Sequence, residues 1–168
     1  MTATDNQILN KKQVIQKISR IAYEIYENHY LEKRIILAGV PATGYLLAGL
    51  IKKELEKISP IAVKLTKIHI DKLDPFASEV RIDCDLADLK NQCIVLVDDV
   101  LYTGRTFINS LKPFLNIQVK QIETAVLVNR GHKLFPISAD YTGYELATML
   151  NDHVVVSLEK DKYGVFLD

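Results

Sequence analysis

The residues best suited to chemistry fall in one short stretch, Asp98-Asp99-Val100-Leu101-Tyr102-Thr103-Gly104-Arg105-Thr106. Adjacent carboxylates repel each other and are costly to bury, so Asp98 and Asp99 belong at an edge, where they suit sugar hydroxyls or a hard cation such as Mg²⁺. Gly104 lets the backbone approach a ligand closely. The hydroxyls of Thr103 and Thr106, the loop amides and the start of a following helix all favour phosphate. Arg105 either pairs with that phosphate or faces solvent. An acid pair beside a phosphate cradle describes a 5-phosphorylated ribose. A second anion site is expected at Val40-Pro41-Ala42-Thr43-Gly44, where a strand passes through a tight, glycine-containing loop into a helix.

The elements that position these residues follow from pattern. Cys93-Ile94-Val95-Leu96-Val97 is apolar and rich in β-branched residues, which predicts a strand buried on both faces of a parallel sheet, with the acids at its carboxyl edge. Phe107, Ile108, Leu111 and Phe114 are then spaced for a helix that Pro113 should end or kink. Arg34 to Val40 predicts another apolar strand, and Leu46, Leu47, Leu50, Ile51 and Leu55 the helix after it. Further strands are expected over Ala62 to Ile70, over Glu79 to Cys84 with Val80 and Ile82 inward, and over Gln121 to Val128. Val154 to Leu158 and Tyr163 to Leu167 form a hairpin through Glu159-Lys160-Asp161-Lys162. Asn10 caps a helix of Val14, Ile15, Ile18, Ile21, Ala22, Ile25 and Tyr26, with Lys17, Arg20, Glu24 and Glu27 as its solvated face. The expected fold is α/β, a mainly parallel twisted sheet flanked by helices, in one domain over residues 1–168.

Composition narrows the classes. A chain of 168 residues can bury a substantial core. Its 21 basic residues balance 21 acidic ones, so no overall field draws a polyanion, which disfavours RNA as a partner without excluding a local patch. Cys84 and Cys93 are too few for a disulfide framework and lack metal-ligand spacing. No apolar run approaches a membrane span, and the polar start Met1 to Asn6 has no signal-peptide core, so a reducing cytoplasm is the expected location.

The stretch Val97-Asp98-Asp99-Val100-Leu101-Tyr102-Thr103-Gly104-Arg105-Thr106 resembles the ribosyl-phosphate signature of the type I phosphoribosyltransferases, and its wording is closest to the PyrR family. Receiver domains place their acid pair near the chain start and haloacid-type phosphatases need Asp-x-Asp after the first strand; neither arrangement is present. A second stretch, Val128-Asn129-Arg130-Gly131-His132-Lys133, is similar to the family's Val-Asp-Arg-Gly-His-Arg. Ala139-Asp140-Tyr141-Thr142-Gly143 follows where the family has Ala-Asp-Tyr-Ile-Gly. The resemblance spans roughly Lys11 to Leu158 and implies a type I phosphoribosyltransferase fold with a small hood. PyrR members are uracil phosphoribosyltransferases that also regulate pyrimidine-operon RNA.

The resemblance implies that 5-phosphoribosyl diphosphate (PRPP) and a nucleobase, most closely uracil, are the substrates, with Mg²⁺ as cofactor. It places Asp98 and Asp99 on the ribose and its metal, Thr103, Gly104, Arg105 and Thr106 on the 5-phosphate, and Val40 to Gly44 on pyrophosphate through backbone donors. Asn129, Arg130 and Tyr141 are placed at the base pocket. Two departures stand out. The pyrophosphate loop reads Pro41-Ala42-Thr43-Gly44 where the family has Lys-Thr-Arg-Gly, which removes both cations and suggests a cis Val40-Pro41 bond. The connection after residue 70, a hood over the diphosphate in the family, is shorter and retains Lys72 as its cation near the site. A nucleobase transferase, a PyrR-like RNA regulator and a catalytically weak nucleotide sensor all stay open at this point. So does a 6-oxopurine in place of uracil, because Asp140 to Glu145 also resembles hypoxanthine-guanine enzymes. The family further suggests a homodimer or higher homo-oligomer.

Overall fold

A computed structural model describes residues 6–147, 149 and 152–168, so all but the last residue of the polar start Met1 to Asn6 lies outside the described residues. Nine strands and three α-helices occur among them. They are β1 (Gln7–Asn10), α1 (Lys11–His29), β2 (Arg34–Gly39), α2 (Thr43–Ile58), β3 (Ala62–His69), β4 (Arg81–Ile82), β5 (Cys93–Leu101), α3 (Arg105–Ser110), β6 (Gln121–Asn129), β7 (Tyr141–Glu145), β8 (Val154–Glu159) and β9 (Lys162–Leu167). A six-stranded sheet runs in the order β4-β3-β2-β5-β6-β7. Its strands are parallel except β4, which pairs antiparallel with β3.

The apolar run of β5 sits at the middle of this sheet because both its faces find cover. Cys93, Val95 and Val97 join the core under α1 and α2, while Ile94 and Leu96 join the core on the α3 side. β2 divides the same way, Ile35 and Leu37 against Ile36 and Ala38. This period of two, with both faces covered, is why Ile35 to Ala38 and Cys93 to Val97 are apolar throughout.

α1 begins at a capping box: Gln13 N–H donates to Asn10 Oδ1 at 3.0 Å and Asn10 N–H to Gln13 Oε1 at 2.9 Å. The helix buries Val14, Ile18, Ile21, Ala22 and Ile25, as the spacing predicts, but Arg20 is not a free member of a solvated stripe. Its guanidinium donates to the carbonyls of Thr142 and Gly143 at 2.9 and 2.6 Å and to Glu24 Oε1 at 2.7 Å, tying α1 to β7.

Three expectations gain detail from the structure. The strand over Glu79 to Cys84 shrinks to Arg81–Ile82, paired with His69 and Ile68 at the end of β3, with Asp83 N–H donating to Lys67 O at 2.9 Å just beyond it. The helix after the phosphate loop ends at Ser110, and Pro113, which has no N–H to continue it, sits in a 3-10 turn over Lys112–Phe114. The small unit beside the main sheet does not come from the connection after residue 70. It is an antiparallel sheet from opposite ends of the described chain, β1-β9-β8, packed through Leu9, Val156 and Val165 on the α1–α2 core. Among the described residues no helix is long and apolar enough to cross a membrane.

Candidate active site

β5 carries Asp98 and Asp99 in its carboxyl half, Asp98 level with Val126 of β6, before the two strands end together at Leu101 and Asn129. Asp98 is 3% exposed. Its Oδ1 accepts from the Asp99 N–H at 2.9 Å and from Lys72 Nζ at 2.8 Å, and the same ammonium lies 3.8 Å from Asp99 Oδ1. Burial pushes the Asp98 carboxyl well above the usual range and the charge of Asp99 adds to that, while Lys72 pulls the other way. Burial also works against the Lys72 ammonium, yet the two carboxylates outweigh it and hold its pKa above the ordinary lysine value. Among the described residues, Lys72 supplies the only Lys or Arg side chain within 4.0 Å of these carboxylates.

The loop from Tyr102 to Thr106 follows at once. Asp98 and the run from Val100 to Phe107 line a hollow of about 150 Å³. Gly104 has φ +85°, in the left-handed region that favours glycine, and it lets the chain double back into α3. Thr103 Oγ1 accepts from Arg105 N–H at 3.2 Å, and Thr103 O accepts from the N–H groups of Leu134 and Phe135 at 2.8 and 3.1 Å. The second motif therefore packs behind the cradle. Phe135 also meets Phe76 of the Lys72 loop with ring centroids 6.1 Å apart, and the Arg105 guanidinium lies 5.6 Å from the centre of the Phe76 ring. Cradle, Lys72 loop and second motif thus share one set of contacts.

The glycine-containing loop after β2 abuts the acids. A Cβ on Gly44 would come within 2.8 Å of Asp98 Cα and 2.9 Å of its Oδ1, so only glycine permits this approach. The cis bond in the loop is Pro41–Ala42, not the expected Val40–Pro41. Backbone donors are also fewer than expected from Val40 to Gly44. Val40 is buried with its N–H bonded to Val97 O at 2.9 Å, and Pro41 has none. Ala42, Thr43 and Gly44 keep theirs at the start of α2, where no side chain caps the helix.

The expected base-pocket residues divide. Asn129 stands at the carboxyl end of β6, where its Nδ2 donates to Glu145 Oε1 at 3.2 Å and its Oδ1 accepts from Gly131 N–H at 3.1 Å. Arg130 is buried, with its guanidinium 4.0 Å from the centre of the Tyr102 ring and one N–H donating to Met149 O at 3.1 Å. Tyr141 is not brought to this edge. It is buried in the core, its hydroxyl donating to Glu123 Oε2 at 3.1 Å and accepting from Asn28 at 3.0 Å, while His29 Nε2 donates to the same carboxylate at 2.5 Å. Tyr141 opens β7 and so lies low in the sheet, whereas Asn129 and Glu145 end their strands. Tyr102 is the residue that sequence reasoning missed: it carries Arg130 on its face and His132 edge-on at 5.8 Å. Its place directly before Thr103 was the available signal.

Larger hollows lie elsewhere. One of about 290 Å³ is lined by Ile15, Leu50 and Tyr163, and another of about 430 Å³ by Val80, Ile82 and Pro113; neither contains an acid pair or a phosphate loop.

The structure thus brings together an acid pair towards the carboxyl edge of a parallel sheet, the loop of residues 102–106 that follows it and a glycine loop from the neighbouring strand. This chain belongs to the phosphoribosyl transferase domain family, whose model matches residues 4–161. More particularly, it is similar to the bifunctional protein PyrR of Macrococcus caseolyticus, with 37% identity over 95% of this chain and 97% of that protein. The bifunctional protein PyrR of Clostridioides difficile is 35% identical over 90% of each. Among solved structures, a hypoxanthine phosphoribosyltransferase from Trypanosoma cruzi in complex with the product IMP superposes with a TM-score of 0.76 at 15% identity, over 97% of this chain and 93% of that one. A hypoxanthine-guanine phosphoribosyltransferase from Bacillus anthracis gives 0.70 at 16% identity, over 85% and 83%. The chain has the type I phosphoribosyltransferase fold.

Proposed function

We propose that this protein transfers the 5-phosphoribosyl group of PRPP to uracil in an Mg²⁺-dependent reaction. The C1–O bond to the diphosphate breaks, a C1–N bond to the base forms, pyrophosphate leaves, and the base nitrogen gives up its proton. The observation that carries the reading is the meeting of Asp98 and Asp99, the cradle from Thr103 to Thr106 and the Gly44 loop at one point of the sheet edge. Displacement at an anomeric carbon needs positioning and charge stabilisation rather than a nucleophile, and this set of groups is suited to both.

Asp98 and Asp99 hold the ribose hydroxyls, and the hydroxyls and amides of residues 103 to 106 hold the 5-phosphate. Ala42, Thr43 and Gly44 turn their backbone donors to pyrophosphate. Among the described residues no group of three or more His, Cys, Asp or Glu could cage a metal. The donors fit Mg²⁺ arriving with the substrate, since that ion is commonly bound by one or two carboxylates plus phosphate oxygens. Asp98 and Asp99 would hold it there, and the chemistry it supplies is neutralisation of the leaving group. Asn129 and Arg130, with Tyr102 beneath the guanidinium, border the space left for the base. The similarity to proteins named PyrR supports uracil. Unpaired Cys84 and Cys93 accord with a reducing cytoplasm.

The test is pyrophosphate release from PRPP and Mg²⁺ with uracil, hypoxanthine, guanine and adenine offered separately. Turnover with uracil alone is expected. Turnover only with a 6-oxopurine would overturn the base assignment, and none with any base would overturn the transfer itself.

A further inference from the structure

We infer that Lys72 is a specificity-determining counter-ion that makes the site prefer a ribose 5-phosphate carrying a diphosphate over one without it. The inference rests on the ribosyl-phosphate reading of the acid edge and names what that edge selects.

The geometry leads there in three steps. First, Lys72 Nζ occupies the acceptor atom that a ribose hydroxyl would use, 2.8 Å from Asp98 Oδ1 and 3.8 Å from Asp99 Oδ1. A sugar hydroxyl that takes this oxygen competes with the ammonium for it. Second, the ammonium cannot leave without cost, because Asp98 has a side chain only 4% exposed and depends on an opposite charge beside it. A ligand that displaces Lys72 must give it another anion. Third, the loop against which a diphosphate would lie has no cation of its own: it reads Pro41-Ala42-Thr43-Gly44, and Val40 N–H is already bonded to Val97 O. Beyond backbone donors and the Mg²⁺ it arrives with, the diphosphate finds no side-chain cation in that loop, and the displaced ammonium is within reach to supply one.

Lys72 is placed to make such a move. Its side chain is 36% exposed, on a four-carbon stem in the loop that follows β3. That loop is held to the phosphate cradle a few residues later, through Phe76 against Phe135 and through Lys112 Nζ donating to Pro75 O at 3.2 Å. The tethers fix the loop's far end and leave the Lys72 side chain to swing from the acids to the diphosphate. Ribose 5-phosphate must displace the same ammonium but offers it nothing at C1.

Titration calorimetry in Mg²⁺ compares PRPP with ribose 5-phosphate on the wild-type protein, Lys72→Gln and Lys72→Arg. Lys72→Gln should weaken PRPP at least tenfold, about the worth of one charge-assisted hydrogen bond, and leave ribose 5-phosphate as tight or tighter. Lys72→Arg should keep the wild-type order. Equal weakening of both ligands by Lys72→Gln, or no change in either, overturns the inference. The wild-type protein gives a second readout that does not depend on a variant folding. The Lys72 ammonium resonance should move on adding PRPP, and a resonance that PRPP leaves unmoved overturns the inference as well. Failure of the transfer reaction would appear separately, as PRPP binding without pyrophosphate release.

Discussion

Replacing Asp98 by Asn should make the protein more stable and less able to bind its ligand. Asn keeps the shape and an oxygen to accept the Asp99 N–H, now 2.9 Å from Asp98 Oδ1. What is lost is the charge-assisted bond from Lys72, whose side chain is 36% exposed, so water makes up part of it and the loss is about 1 kcal/mol. What is relieved is a carboxylate held almost out of water beside a second one, worth about 2 kcal/mol. The net gain is about 1 kcal/mol, or roughly 2–4 °C in Tm for a chain of this size. The pH dependence gives the sign. The folded pKa of Asp98 is raised, so the native state binds its proton more tightly than the unfolded chain. The wild-type protein is therefore penalised above that raised pKa, and the penalty fades as pH falls towards the ordinary aspartate value. Thermal unfolding from pH 8 down to pH 4 should show Asp98→Asn ahead at the alkaline end and level at the acid end, with PRPP affinity reduced at least tenfold at pH 8. A lower Tm for the variant at pH 8, or an advantage that grows on acidification, would show that the Asp98–Lys72 pair stabilises the fold and would refute the argument.

Gly44→Ala places a methyl group 2.8 Å from Asp98 Cα, backbone that cannot swing aside, so stability should fall by about 1–3 kcal/mol and PRPP affinity with it, measured by urea unfolding and calorimetry. Gly104→Ala puts a side chain at φ +85°, which costs about 1–2 kcal/mol and should weaken inorganic phosphate as well as PRPP in the same titration. Tyr141→Phe removes the hydrogen bond to buried Glu123 and the acceptor of Asn28, and leaves Glu123 its bonds from His29 and Gln121, so it should cost about 1–2 kcal/mol in urea unfolding. The same variant should leave the order of preference among nucleobases unchanged, since Tyr141 faces the core; a changed order would restore it to the base pocket.

How much of this was legible without coordinates depends on how local the cause is. The buried run Cys93 to Val97, the two acids after it and the glycine turn beyond are local facts, since an apolar run needs two covered faces and adjacent carboxylates need an edge, but the acids do not end the strand: β5 continues through them to Leu101, paired with β6. The helix cap at Asn10 and the hairpin of β8 and β9 were readable for the same reason, while the return bond to Gln13 was not read. β1 was not, because its four residues find their partner strand at the opposite end of the chain. Tyr141 shows the limit of a motif: its wording matches a family segment, yet register sets it low in β7 beside Glu123 instead of at the edge with Asn129. Lys72 shows the converse. Only the family resemblance makes it a cation near the site, 26 residues before Asp98, and only the folded chain puts its ammonium on the carboxylate. Residue types and spacing by themselves determined which groups could bind a phosphorylated ribose. Which of them share one charge balance was decided by tertiary structure, because electrostatic coupling depends on separation in space and on burial, and neither is a property of order along the chain.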